Sequence, residues 1–335
     1  MKKITSLVLT LIMLMTLTAC GNDGSSQTEG GEGDTTPPAS GETAILTIGT
    51  GDTGGAMYPI GSTIAKIVNN NVPGVKMNVE STGGSVDNAR MTSTGELELG
   101  LCGGDVAYSA QNGKDAFEGA ACEGYSGLFA YSVSTAIFIS SQASGVDSVE
   151  DWAGHRLTFG MTGSSTATAL ANQLPVAGVE LTDLEPQYMS VAEGAEAIQN
   201  GQSDGIFGLG TMPQSALLEL ANNTPCNFFS YSAEQIDSII AEAPYYFKTT
   251  LPAETFNGQS DDLETFGVKG MVLVNNDMDE DLVYEICKAV WENMEDMYAG
   301  HSSLSVMTED FVAKDLPIEL HHGAVRFWTE MGMMD

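Results

Sequence analysis

Residues 44–69 read AILTIGTGDTGGAMYPIGSTIAKIVN. Ala44 to Gly49 is a short apolar run of strand length. From Met57 the period changes, and Met57, Ile60, Ile64, Ile67 and Val68 share one helical face that Pro73-Gly74 brings to an end. Between strand and helix lies Thr50-Gly51-Asp52-Thr53-Gly54-Gly55, a loop of glycines and hydroxyls. Strand, glycine loop and helix in that order open a βα unit, which needs a sheet to lie in and a second strand to return to.

The return is immediate. Val75, Met77 and Val79 alternate as a second strand ending at Glu80, a short helix runs from about Val86 to Gly95, and Leu97, Leu99 and Leu101 form a third strand. Asp105 then stands where a helix N-cap belongs, ahead of Val106-Ala107-Tyr108. The long β-rich run Leu128 to Ser140 reads as a crossing into a second lobe. There the series repeats: strands at 156–160, 184–189 and 205–209, and helices at 165–177, 191–200 and 213–222. Gly267 to Val274 returns the chain to the first lobe, followed by one amphipathic helix from Leu282 to Met297. The expected fold is α/β with parallel sheets. Lobe I takes residues 44–136 and 262–335, and lobe II takes 137–261. Two lobes joined by two crossings leave a cleft, and open α/β sheets bind ligands at the carboxyl ends of their strands.

The N-terminal segment has a different character. Lys2 and Lys3 precede an apolar run from Leu7 to Leu17, broken only by Thr10 and Thr16, and then Leu17-Thr18-Ala19-Cys20. The run is short of the ~20 apolar residues that span a bilayer, and its flanks are those of an export signal. Residues 1–19 are therefore expected to be a cleaved lipoprotein signal peptide. Cys20 is the expected lipidation site and 20–43 a flexible tether of Gly, Ser, Thr, Glu, Asp and Pro. The expected location is outside the cytoplasmic membrane, anchored by that lipid.

Twelve basic residues stand against 45 acidic ones, a net charge of −33. Such a surface repels nucleic acid and anionic lipid faces, so neither is an expected partner. Cys102, Cys122, Cys226 and Cys287 form no CxxC, which argues against structural zinc. Cys102–Cys122 is the least implausible disulfide, with free thiols an equal alternative. His155, His301, His321 and His322 suggest surface residues, since an adjacent pair does not point one way. There is no GxSxG or HExxH, so no catalytic residue, metal or cofactor is assigned.

Four loops pair glycines with hydroxyls after a strand and before a helix. They are residues 50–55, Ser81-Thr82-Gly83-Gly84-Ser85, Cys102-Gly103-Gly104-Asp105, and Thr162-Gly163-Ser164-Ser165-Thr166. Glycines let backbone approach a ligand, and a helix start offers free N–H groups and a positive dipole end, a good carboxylate site. The candidate binding residues are Thr53, Gly54, Gly55, Tyr58, Ser81, Gly84, Asn88, Asp105, Gly163, Ser164, Ser165 and Thr166. Asp105 would meet the ammonium group of an amino-acid ligand, or serve only as a cap if the ligand is a dicarboxylate. Arg90 is read as a surface bond to Asp87 or Glu96, or as a bidentate carboxylate ligand. Gly49, Gly51 and Gly54 also match GxGxxG, with Glu80 placed for a ribose. A nicotinamide enzyme is thus the rival reading, although such cofactors are not freely available outside the membrane.

Taken in order, these motifs resemble the solute-binding proteins of tripartite ATP-independent periplasmic (TRAP) transporters, in their TAXI branch. The resemblance runs from about Leu46 to Gly332 and rests on Ile48-Gly49-Thr50-Gly51, Thr53-Gly54-Gly55, Tyr58-Pro59 and Glu80 to Val86. Asp105 to Tyr108, Gly160 to Thr166, Tyr245-Tyr246 and Leu316 to His321 continue it. It differs at Gly103-Gly104 and at Ser165, both in cleft loops. It implies a type II periplasmic-binding-protein-like receptor, not an enzyme. Such a receptor captures a glutamate-like amino acid or dicarboxylate and delivers it to ion-gradient-driven TRAP permease subunits. An exported sensor on the same fold is the alternative, and an exported dehydrogenase or hydrolase a further one.

Overall fold

The computed structural model describes residues 43–51, 53, 56–162 and 164–334. The expected signal peptide, Cys20, the tether up to residue 42, Gly54, Gly55 and Gly163 lie outside the described residues.

The first half opens as the sequence implies. It runs β1 (Ala44–Gly49), α1 (Met57–Asn71), β2 (Val75–Glu80), α2 (Ser85–Thr94), β3 (Leu99–Gly103) and α3 (Gly104–Gln111). β1 lies between β2 and β3, parallel to both. The apolar stripe of α1 is buried through Ile60, Ile64, Ile67 and Val68, packed with Leu46, Ile48 and residues from much later in the chain.

The long strand β4 (Tyr125–Ser141) follows. Then come β5 (Arg156–Thr158), α4 (Ser165–Gln173), β6 (Glu185–Gln187), α5 (Val191–Gln199), β7 (Gly205–Gly210) and α6 (Ser215–Asn223). Next are β8 (Cys226–Phe229), α7 (Ala233–Glu242) and β9 (Tyr246–Leu251). The chain closes with β10 (Leu263–Asn275), α8 (Glu280–Glu292), α9 (Met294–Gly300) and α10 (His322–Glu330). Four of these elements, β8, α7, β9 and α10, have no clear signal in the sequence.

The sheet is mixed rather than parallel. β1, β2 and β3 are parallel neighbours, as are β5, β6 and β7, but β10 runs antiparallel to β3, β4 and β9, and β4 antiparallel to β7 and β8. Two strands that carry the chain out of one half and back again must run opposite ways. Partner exchange happens at Thr135, which pairs with Gly267 of β10 and with Gly210 of β7.

The core divides in step with that exchange. Around α1 it contains Val283, Ile286 and Val290 of α8 and Trp328 of α10, whose indole N–H donates to the Leu128 carbonyl at 2.9 Å. Beyond the exchange point Phe138 is surrounded by Phe207, Phe229 and Trp152, with the Phe229 ring stacked at 5.6 Å. Burying one such ring contributes about 1.5–3 kcal/mol.

Two expected helices are shorter. The run from Leu282 to Met297 breaks at Asn293 into α8 and α9. The helix from Ser165 ends at Gln173 and tightens into a 3₁₀ turn over Leu174–Ala177, where Pro175 has no N–H for the α ladder. The cap of α3 is Gly103, so Asp105 sits inside the first turn rather than capping it.

Candidate functional site

A cleft of about 780 Å³ opens over the middle of β4 and β10, where Tyr131, Ser132, Ser134, Val268 and Gly270 form its floor. Its walls are helix starts. Residues at or beside the N-termini of α1, α2, α3, α4, α5 and α6 all line it, among them Met57, Gly84, Asp105, Ser165, Val191 and Gln214.

These helix starts are unevenly finished. The Ser164 hydroxyl accepts from Ala167 N–H at 3.2 Å in α4, and Ser190 forms a reciprocal capping box with Glu193 in α5. The starts of α1, α2, α3 and α6, at Ala56, Gly84, Gly103 and Gln214, have no side-chain cap. Away from the cleft, α7, α8 and α10 are capped by Ser232, Asp279 and His321, and α9 continues from α8 through Asn293. A cap stabilises a helix by about 1 kcal/mol; the Asp105 carboxylate already sits on the first-turn N–H groups of α3, so the starts of α1, α2 and α6 leave their N–H groups and positive dipole ends for an anion. No lysine or arginine is among the described residues lining the cleft.

The loop between β2 and α2 shows how the frame is held. Asn88 is fully buried; its Nδ2 donates to the carbonyls of Thr50 and Leu101 at 2.6 and 2.7 Å, and its Oδ1 accepts from the Thr82 hydroxyl at 2.7 Å. Thr82 Oγ in turn accepts from Gly84 N–H at 3.1 Å. Gly84 has φ of +93°, a conformation that strains any residue with a Cβ. Gly49 serves close packing, since a Cβ there would run into Leu97 and Asn88.

The sequence-derived residues therefore separate. Gly84, Asp105 and Ser165 line the cleft. Asn88 is corrected from ligand wall to frame, because all its polar capacity is spent inside the fold. Ser81 donates to the Gly51 carbonyl at 2.7 Å, Ser164 caps α4, and Thr166 Oγ donates to the Leu209 carbonyl at 3.4 Å. Thr53 is exposed, and neither it nor Tyr58 is among the lining residues, although Met57, Pro59 and Ile60 are. Neighbouring helical residues differ by about 100° around the axis, so proximity in sequence does not bring Tyr58 to the same face.

Among the described residues, Asp105 is the one carboxylate lining the cleft. Burial pushes its pKa up to about 6, against the pull of the N–H groups of Val106 and Asp105, and nearby Asp115 raises it further. A side recess of about 30 Å³, room for one or two water molecules, continues past Asp105 and Ser165 to Asp115, Phe117, Tyr245 and Tyr246. Tyr245 is pushed up to about 12, first by burial and then by Asp105. Its ring meets that of Tyr108 at 5.4 Å.

Several residues of the site carry no local signal. Ser132 and Ser134 sit in a strand, Thr211 to Gln214 in a turn with a cis Met212–Pro213 bond, and His301 and Ser302 beyond α9. His301 lines the cleft and is not a plain surface histidine. His321 is buried as the cap of α10, its pKa lowered by that burial. Arg90 bonds to neither Asp87 nor Glu96: its Nη2 donates to the Ala116 carbonyl at 2.8 Å, and the guanidinium lies 5.1 Å from the Phe117 ring centre. All four described cysteines are free and buried, so Cys102 and Cys122 are not bridged.

Fold and cleft together define an α/β protein of the periplasmic-binding-protein-like type. A family model described as the NMT1-like family matches residues 48–332, and the chain belongs to that family. Among solved structures it is similar to PhnD1 from Prochlorococcus marinus (MIT 9301) in complex with methylphosphonate. That match has a TM-score of 0.54 and 10% identity, covering 87% of this chain and 98% of that one. It is also similar to the alkanesulfonate-binding protein SsuA from Xanthomonas axonopodis pv. citri bound to MOPS, at TM-score 0.45 and 16% identity, with 88% and 82% covered. A third is the probable amino-acid ABC transporter extracellular-binding protein ytmK from Bacillus subtilis, at TM-score 0.45 and 16% identity, with 81% and 100% covered. At these identities the likeness is one of fold.

These matches correct the resemblance to the TAXI branch of TRAP receptors. The family model that matches, over residues 48–332, is the NMT1-like family. The physical reason is that glycine and hydroxyl loops ahead of helices are what any two-lobed α/β binder needs at its cleft. They report the architecture and not the permease.

Proposed function

We propose that this protein is an extracytoplasmic receptor that captures a small carboxylate-bearing metabolite, a glutamate-like amino acid or a dicarboxylate, and hands it to a membrane transporter. The observation that carries the reading is the set of uncapped starts of α1, α2 and α6 around a cleft whose described lining residues include no lysine or arginine. Backbone N–H groups and dipole ends bind an anion without the desolvation cost of burying a side-chain cation. Gly84, Ser165 and Asp105 are the sequence-derived residues this reading assigns to the ligand. The lobes are proposed to divide at 44–136 with 262–335 and at 137–261, closing about β4 and β10. Lipidation at Cys20 after loss of residues 1–19 would tether the receptor beside its permease. The reading is of binding rather than turnover, and it needs no cofactor.

Of the three solved structures named above, one holds methylphosphonate, one is an alkanesulfonate-binding protein and one is a probable amino-acid ABC transporter extracellular-binding protein, so the acid group is the point to test. A thermal-shift screen of L-glutamate, succinate, methylphosphonate and methanesulfonate decides it. A ligand at 100 times its dissociation constant adds about 2.7 kcal/mol to stability. A shift with L-glutamate or succinate is the expected result. A shift only with the phosphonate or sulfonate would overturn the carboxylate class, and no shift with any would sink the receptor reading.

A further inference from the structure

His301 follows the last residue of α9 and lines the cleft beside Ser302. Its surroundings fix the ring. Gly300 packs against Thr63 of α1 so closely that a Cβ there would clash, and Tyr298 OH donates to the Met307 carbonyl at 2.9 Å, pinning the turn on both sides. The ring's Nδ1 lies 3.3 Å from Ser303 N–H, which donates to it, and 2.7 Å from the Ser303 hydroxyl. A backbone N–H cannot accept, so Nδ1 must be the acceptor and carries no proton. The neutral ring then holds its proton on Nε2, which is a donor only.

The cleft makes that donor unusual. Among the described residues its titratable lining side chains are Asp105, Tyr131 and His301, and Tyr131 is buried. Among the described lining residues, His301 and Gln214 are the side chains with a nitrogen donor, and His301 is the ring. We infer that His301 is a specificity-determining residue of the cleft, its Nε2–H donating to an acceptor oxygen of the bound solute. This rests on the receptor reading above and adds a directional contact to it. The starts of α1, α2 and α6 attract negative charge from several sides and do little to orient it. A fixed donor on the α9 side selects ligands that present an oxygen there, and Asp105 in the first turn of α3 gives the opposite polarity elsewhere in the cleft.

The test uses the full-length protein with L-glutamate and succinate as probes, titrated calorimetrically. His301→Ala should weaken binding about tenfold, while His301→Gln, whose amide nitrogen falls near the place of Nε2, should stay within about threefold of the parent. Equal affinity of parent and Ala variant would overturn the inference and leave the receptor reading standing. Equal losses in both variants would overturn it too, because a packing role would not be rescued by glutamine. Binding of neither probe by the parent protein would overturn the carboxylate reading and this inference with it. Ring ¹⁵N spectra give a readout independent of affinity. His301 should show the Nε2–H tautomer, with its Nε2 resonance moving on addition of L-glutamate or succinate; an Nδ1–H tautomer would overturn the assignment.

Discussion

Asn88 and Thr50 are tied by a 2.6 Å hydrogen bond from the buried side-chain amide to the backbone carbonyl at the end of β1. The same amide reaches Leu101 in β3, so one side chain fixes where two cleft loops leave the sheet.

That arrangement makes Asn88→Asp a sharp probe. An ionised carboxylate offers only acceptors to two carbonyls that need a donor, at an expected cost of about 2–4 kcal/mol. Urea unfolding should show a lower midpoint with an unchanged slope. A ligand-contact role for Asn88 would instead leave the midpoint in place and abolish binding.

Asp105 gives a pH prediction whose sign is set by burial. Its folded pKa is about 6 against an ordinary 3.8, so between these values the folded chain holds a proton that the unfolded chain has released. The stability it contributes is full below the ordinary value and is lost as pH rises through about 6. Asp105→Asn should therefore match the parent near pH 4 and exceed it by about 1–3 kcal/mol at pH 7 without ligand. Thermal denaturation of both proteins across that range checks it.

Arg156 and Asp204 form the opposite case. Arg156 donates from its backbone N–H at 2.8 Å, from Nε at 3.1 Å and from Nη2 at 2.7 Å. Burial alone would raise the Asp204 pKa, but these bonds and the Arg156 charge hold it below the ordinary value. Its contribution is present above the ordinary carboxylate range and is lost as pH falls through the depressed pKa. Asp204→Asn should cost about 1–3 kcal/mol at neutral pH and progressively less in strong acid, read by chemical denaturation at several pH values.

Gln214 tests the uncapped helix starts directly. It occupies the N-cap of α6 in an extended conformation with no side-chain bond to the first turn. Aspartate there should cap the helix and raise unliganded stability by about 0.5–1 kcal/mol. The same carboxylate competes for the N–H groups and dipole end proposed to hold the ligand, so L-glutamate binding should weaken by more than about tenfold. Unchanged affinity in a stabilised variant would remove α6 from the site.

Much of the fold was legible because its signals are local. The strand and helix periods of 44–69 fixed the first βα unit to within two residues, and the later strands at Val75–Glu80 and Gly205–Gly210 fell where alternation or an apolar run put them. β8, α7, β9 and α10 were missed, since their burial patterns depend on packing against β4, β10 and α8, distant in sequence. The site was less legible. A loop's composition gives its capacity to bind, but whether a hydroxyl faces ligand or frame depends on neighbours such as Thr50, Leu101 and Leu209 that only folding brings near.

By itself the sequence determined an α/β chain with glycine and hydroxyl loops ahead of its helices and a net charge of −33, because periodicity and charge are properties of the chain. The tertiary structure alone decided that β4 and β10 run antiparallel through the centre, that Asn88 is spent inside the fold, and that His301 lies in the cleft. Those outcomes rest on long-range pairing and on which hydrogen-bond partners each buried group finds. The unfinished caps of α1, α2 and α6 became informative only when folding gathered them around one cleft.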